Sequence, residues 1–189
     1  RDHRKLLIVD RKISHTGGVG LEKRMENWRD TNVRITGPVV LEMQSVFEQM
    51  WFAAPKRKFF RFKPSLNLGS SFSFITNSPS FRGRYIYHDL RRIIRGAKSY
   101  IYLTTPYFVP SIRIFRALIK ATKRGVDVRL LLPKSSDVKI ADIAAGSYFI
   151  LAIKAGVKIY LYDKNRTLHT KTGIIDGTWG TIGSANLDN

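Results

Sequence analysis

The sequence predicts an α/β fold arranged as two related halves, and two observations carry that prediction. From about residue 84 onward, short apolar runs of strand length alternate with segments of helical period, the order that builds a sheet flanked by helices. The same frame also stands near both ends of the chain: His3, Lys5 and Asp10 in HRKLLIVD, and His169, Lys171 and Asp176 in HTKTGIID. A histidine in a chain of this composition has lysine at plus two and aspartate at plus seven by chance roughly once in a few hundred cases. Two hits among 4 histidines therefore predict a duplicated unit.

Taken in order, residues 3–9 read as a buried strand, Ser14 to Gly20 as its partner end or a glycine-rich turn, and Asn32 to Ile35 as a further strand. Gly37-Pro38 starts a helix whose apolar positions Val40, Met43, Val46, Phe47 and Met50 recur at helical spacing to about Phe52, and Pro55 ends it. Lys56 to Ser80 is rich in Lys, Arg, Phe, Ser and Pro without a period and reads as a linker. Beyond it, a helix near Arg84 to Gly96 precedes strand Tyr100 to Thr104. A helix near Ile112 to Lys123 precedes strand Val128 to Leu132, and one near Val138 to Ala155 precedes strand Val157 to Leu161. Gly96, Gly125 and Gly156 each follow a predicted helix, where glycine commonly supplies a left-handed cap. The second frame lies on a strand over Leu168 to Ile175, which turns at Asp176-Gly177 and returns through Trp179 to Gly183. The expected organisation is a first lobe over 1–55 without its amino-terminal α/β units, a linker over 56–80, and a second lobe over 81–189 shortened at its carboxyl end, together a fragment of a larger two-lobed protein.

The 33 Lys and Arg against 14 Asp and Glu give a net charge of +19 over 189 residues. Such a field attracts polyanions, either anionic lipid head groups or nucleic acid, and an excess of one sign this large costs stability through self-repulsion. With no cysteine the chain forms no disulfide and no thiolate metal site, and its histidines stand in no carboxylate cluster at ligand spacing, so neither metal nor cofactor is expected. No apolar run reaches the roughly 18 residues of a spanning helix, and the start RDHRK does not resemble a signal peptide, which predicts a soluble piece. The segment Lys56 to Lys63 (KRKFFRFK) mixes cations and aromatics, as a membrane-interface segment or as a plain solvated linker.

Downstream of the second frame stand Gly183, Ser184, Ala185 and Asn186; the first frame has Gly17, Gly18, Val19 and Gly20 in the corresponding places. These residues resemble the HxKx4Dx6GSxN signature of the phospholipase D superfamily. The stretches WRDTN (28–32), GPVV (37–40), PYFVP (106–110), RGVDVRLLLP (124–133), AGVKIYLY (155–162) and GSANLDN (183–189) are similar to bacterial cardiolipin synthases. The resemblance implies two pseudo-symmetric phospholipase D-like lobes in one chain, each a mixed sheet flanked by helices, with the first lobe incomplete. It implies an anionic phospholipid substrate such as phosphatidylglycerol and a membrane surface as partners, with nucleic acid as second choice. The implied location is the bacterial inner membrane, at its cytoplasmic face or periphery.

Residues two apart on a strand share a face, so His3 points with Lys5 and His169 with Lys171. Two imidazoles and two ammonium groups meeting at one point suit a phosphodiester: one His attacks phosphorus while the other protonates the leaving alkoxide. The lysines and Asn186, with Gly183 and Ser184 beside it, would stabilise the non-bridging oxygens. The resemblance implies His3 as the nucleophile that forms a phosphohistidine and His169 as the acid. It also implies that Asp30, in Trp28-Arg29-Asp30, orients the imidazole of His169, while the carboxylate serving His3 would lie beyond Asn189. Asp10 and Asp176 belong to the catalytic frames, yet strand parity turns them away from their histidines and predicts that they bond backbone amides where each strand turns. Gly18 and Gly20 bring fewer side-chain donors than Ser and Asn would, leaving backbone amides as substitutes. Tyr107 and Phe108 read either as channel lining or as core, Trp28 and Trp51 as packing residues, and His15 and His88 as surface or packing residues. The resemblance implies first a phosphatidyltransferase of the cardiolipin synthase type; the alternatives are hydrolysis by a phospholipase D or a metal-independent nuclease, and non-catalytic binding of membrane or nucleic acid.

Overall fold

A computed structural model describes residues 4–53, 72–76, 85–163 and 165–187. His3, the basic-aromatic segment 56–63 and most of the expected linker lie outside them. Packing divides the chain into two units, Leu6–Thr16 with Val33–Asp89, and Arg1–Lys5 with Gly17–Asn32 and Leu90–Asn189. The motif order assigns Gly17–Asn32 to the first lobe, whereas its backbone hydrogen bonds to residues 167 and 169 group it with the later part of the chain.

In the smaller unit, β1 (Leu6–Val9) pairs antiparallel with β2 (Ile13–Gly17), and β3 (Asn32–Thr36) completes a sheet of order β1-β2-β3. The turn between β1 and β2 places Asp10 and Arg11 at φ 52° and 56°, and Lys12 N–H closes it on Val9 O at 3.0 Å. Helix α1 (Val39–Ala53) buries Val40, Met43 and Val46, and Val40 and Met43 form a core with Ile35. Phe47 and Met50 have the expected helical spacing but remain exposed, because the buried stripe runs at positions 40, 43 and 46.

The larger unit holds a sheet of order β6-β5-β4-β7-β8. Its strands β4 (Tyr100–Thr104), β5 (Asp127–Pro133) and β6 (Lys158–Tyr162) run parallel, whereas β7 (Thr172–Ile175) pairs antiparallel with β4, and β8 (Trp179–Ile182) antiparallel with β7. Strict alternation in β5 buries Val128, Leu130 and Leu132, the pattern of a strand with one covered face. Helix α2 (Tyr85–Gly96) buries Leu90 and Ile94. Helix α3 (Ile112–Lys123) is capped by Ser111 Oγ, which accepts from Ile114 N–H, and it buries Ile114, Phe115, Ala117, Leu118 and Ala121 at helical spacing. Helix α4 (Lys139–Lys154) follows β5. Among the described residues no helix is long and apolar enough to cross a membrane.

Gly125 and Gly156 stand past α3 and α4 at φ +87° and +91°, the left-handed stop that glycine adopts without a Cβ penalty. Gly96 does not share this geometry and is instead the last residue of α2. Arg124 Nη2 donates to Ile94 O at 3.2 Å and to Ala97 O at 3.1 Å, so a side chain satisfies terminal carbonyls that a glycine cap would otherwise serve.

On the other face of β5, Asp127 accepts from Arg129 Nε at 2.7 Å and from Tyr102 Oη at 3.1 Å, and Lys158 Nζ lies 2.9 Å away. The Arg129 bond, followed by that of Lys158, lowers the Asp127 carboxyl to about 2. Phe108 is buried against Phe115, Tyr148 and Phe149, a core position, while Tyr107 Oη donates to Asp137 Oδ1 at 2.6 Å.

Candidate active site

Two extended segments of the larger unit assemble the site. Arg29 N–H donates to Thr167 O and His169 N–H donates to Arg29 O, both at 2.8 Å, which makes a single parallel bridge between Arg29 and Leu168. Alternation along the extended backbone then puts Trp28 and Asp30 on the same side as His169. Asp30 Oδ2 lies 2.7 Å from His169 Nδ1, with the two side chains only 5% and 7% exposed. The other carboxylate oxygen, Oδ1, accepts Thr31 N–H at 2.8 Å. The Trp28 ring covers the imidazole at a centroid distance of 4.9 Å and an angle of 56°. Thr170 Oγ1 donates to Arg29 O at 3.2 Å and lies 3.3 Å from Thr31 Oγ1, a second tie between the segments.

A carboxylate oxygen can only accept, so the contact with Asp30 assigns a proton to Nδ1 and leaves Nε2 as the nitrogen free for chemistry. The expected strand over 168–175 is shorter than its period suggests. Only Thr172–Ile175 belongs to β7; residues 167–169 bond to the segment around Arg29 instead.

Lys171 is 5% exposed and its ammonium donates to the carbonyl of His169. A buried ammonium requires such partners, since removing a charge from water without compensation is costly. The β7–β8 hairpin returns the chain to this point, where Gly183 N–H donates to Lys171 O at 3.2 Å. The GSxN element therefore begins beside the HxK residues. Within it, Asn186 Oδ1 is buried without a hydrogen-bond partner.

Asp176 shares its frame with His169 and Lys171, yet its oxygens are taken elsewhere. Oδ2 accepts Lys98 N–H, and Oδ1 accepts Ser99 N–H and Tyr100 N–H, all at 2.8 Å. Its amide partners belong to the entry into β4, not to its own turn, which is made by Asp176 and Gly177 at φ 52° and 68°. The bond from Lys98 N–H leads the causes that hold this carboxyl below its ordinary value of 3.8. A depressed carboxylate contributes stability above its unfolded pKa, and the contribution disappears as pH falls through the folded one. Asp176→Asn is accordingly expected to lower stability by roughly 1–2 kcal/mol at pH 7, the small end for charged hydrogen bonds because the carboxylate meets solvent. Thermal unfolding should show a difference of about 2–8 °C at pH 7 that narrows below pH 4.

The first-frame histidine, His3, is outside the described residues. Downstream of that frame, a cleft of about 260 Å³ is lined by Val19, Gly20, Leu21, Met25, Trp28 and Asp30, with Glu22 and Glu26. A Cβ at Gly20 would fall 2.7 Å from Met25 Sδ and 4.0 Å from Lys5 Cε. The thioether thus fills the space that a side chain at position 20 would take, and this frame offers no side-chain amide there. Sequence reasoning assigned Trp28 to packing and passed over Thr31 and Thr170. The available signal was parity, since Trp28 and Asp30 are two residues apart in one extended segment.

The family described as "Cardiolipin synthase, PLD-like domain" matches residues 90–189. A cardiolipin synthase of Clostridium perfringens (strain SM101 / Type A) is 35% identical over 205 residues, covering 100% of this chain and 43% of the relative. Cardiolipin synthase 1 of Bacillus cereus is 34% identical over 207 residues, covering 100% of this chain and 40% of the relative. The chain thus spans less than half the length of these relatives. Among solved structures, it is similar to the phospholipase D family member Nuc from Salmonella typhimurium, at 30% identity, 53% of this chain, 63% of that chain and a TM-score of 0.45. With a family match over more than half of its residues, the chain belongs to the phospholipase D-like domain family of the cardiolipin synthases.

Proposed function

We propose that this chain carries the two HxK frames of a phosphatidyltransferase, with His3 as nucleophile and His169 as general acid and base. The observation that carries the reading is the buried Asp30–His169 pair at 2.7 Å, which leaves Nε2 available on an imidazole held in one orientation. His3 attacks phosphorus of a phosphatidyl donor. The bond from phosphorus to the departing alcohol breaks, and the alkoxide takes the Nε2 proton of His169. Neutral His169 then removes the hydroxyl proton of an acceptor lipid, whose oxygen attacks phosphorus; the phosphorus–nitrogen bond breaks and His3 is released. Lys5, Lys171 and the Asn186 amide stabilise the non-bridging oxygens as charge builds on them. Asp10 stands in the turn of its own hairpin, and Asp176 ties its hairpin to the entry into β4.

The favoured substrate is an anionic phospholipid such as phosphatidylglycerol, drawn to a chain of net charge +19 at the cytoplasmic side or periphery of a bacterial inner membrane. Incubating the full chain with phosphatidylglycerol vesicles and separating the products tests the assignment. Cardiolipin with glycerol is the expected outcome. Phosphatidic acid would replace transfer by hydrolysis, and binding of vesicles or DNA without turnover would remove the catalytic reading.

A further inference from the structure

We propose that Gly18 is a positioning residue for the His169 imidazole, because the absence of a side chain at this position is what lets the Asp30 carboxylate stand where it does. Compared with the GSxN signature, Gly18 looks like the loss of a donor. The geometry points the other way. A Cβ at Gly18 would fall 2.6 Å from both Cγ and Oδ2 of Asp30, with Oδ1 nearer still. Glycine is not required here by the backbone, since Gly18 is not among the residues of positive φ. The requirement is space alone.

Neither partner can yield cheaply. Asp30 Oδ1 holds Thr31 N–H at 2.8 Å, Oδ2 contacts His169 Nδ1 at 2.7 Å, and Gly18 N–H donates to Thr31 O at 3.1 Å. The backbone at residue 18 and the carboxylate at residue 30 are thus tied to the same short segment. A methyl group between them has to push the carboxylate off the imidazole. The neighbouring contact is as close: a Cβ at Gly17 would lie 2.7 Å from Asn32 Cα, and Val19 N–H donates to Asn32 Oδ1 at 3.3 Å. Gly17-Gly18 is a bare backbone wall against which residues 30–32 are laid. It follows that Gly18→Ser, the change that would restore the signature, harms the site.

The effect on turnover rests on reading His169 as the acid; the effect on its hydrogen bond does not. Ring-labelled histidine NMR of the full chain should show a strongly hydrogen-bonded Nδ1–H for His169, identified by its loss in Asp30→Ala. Gly18→Ala and Gly18→Ser are expected to abolish that signal while the protein remains folded by circular dichroism. Turnover of the phosphatidyl donor should fall roughly 10²-fold in Gly18→Ala, the scale of an ångström misplacement at a reacting group. In an Asp30→Ala background, where the space is vacated, the same substitution should cost no more than about threefold. Retention of the Nδ1–H signal in Gly18→Ala, or an equal loss of turnover in both backgrounds, would overturn the proposal. If Gly18→Ala alone does not fold, Gly18→Ala with Asp30→Ala should, and failure of the pair to fold counts against it. Should the parent chain transfer no phosphatidyl group while the NMR outcome holds, the functional reading fails and the positioning role stands.

Discussion

His169→Ala is expected to lower turnover of a phosphatidyl donor by roughly 10²- to 10⁴-fold, the range that a positioned proton donor contributes. The size of the loss should depend on the leaving group. A glyceryl alkoxide is a strong base and needs the Nε2 proton as its bond to phosphorus breaks; a 4-nitrophenolate does not. With a 4-nitrophenyl phosphodiester the first step should therefore recover most of the deficit, and a phosphoenzyme should accumulate because the base for the second step is missing. His3→Ala should abolish phosphoenzyme formation with both leaving groups. Rapid quench with radiolabelled donor distinguishes the two variants. A phosphoenzyme that persists in His3→Ala assigns the nucleophile elsewhere, and equal losses with both leaving groups remove the acid role from His169.

The second large effect is expected from Asp30→Asn, a change of one heavy atom in which shape is nearly kept. The carboxylate accepts from Nδ1 and carries the negative charge that faces the imidazolium; an amide supplies neither reliably, and if it turns its NH2 toward Nδ1 it selects the opposite tautomer. Turnover should fall roughly 10²-fold or more, with KM for the donor changed little if Asp30 acts through the imidazole that it contacts. The same dependence on leaving group should appear as in His169→Ala, and combining the two substitutions should cost little beyond the larger single effect. Near-normal turnover in Asp30→Asn would separate the pair seen at 2.7 Å from the chemistry.

The elements were most legible where local signals agree with the final packing. Tyr100–Thr104 and Ile112–Lys123 have the bounds that their periods suggest, since an alternating run and a serine-capped amphipathic run are each resolved by one face of one sheet. The second-frame strand was misjudged at its start because nothing local to residues 168–171 announces that their partner is Arg29. Gly96 misled for a related reason, its capping work being done by Arg124. In the site, Asp30 and both frames can be read from spacing and family likeness. The cover of Trp28, the amide cradle of Asp176 and the space at Gly18 belong to segments that meet only in three dimensions.

The bridge between Arg29 and Leu168 also has a consequence in time. Asp30 and His169 are 139 residues apart in sequence, so their contact bears the entropic cost of a long loop closure. A nascent chain emerging from the ribosome exposes Asp30 long before the imidazole of His169 exists, and the carboxylate gains that partner only after the chain has been made through residue 169. The pair is therefore assembled well after its first member. A chain terminated between the two frames keeps Asp30 as a buried-site carboxylate with no imidazole to orient.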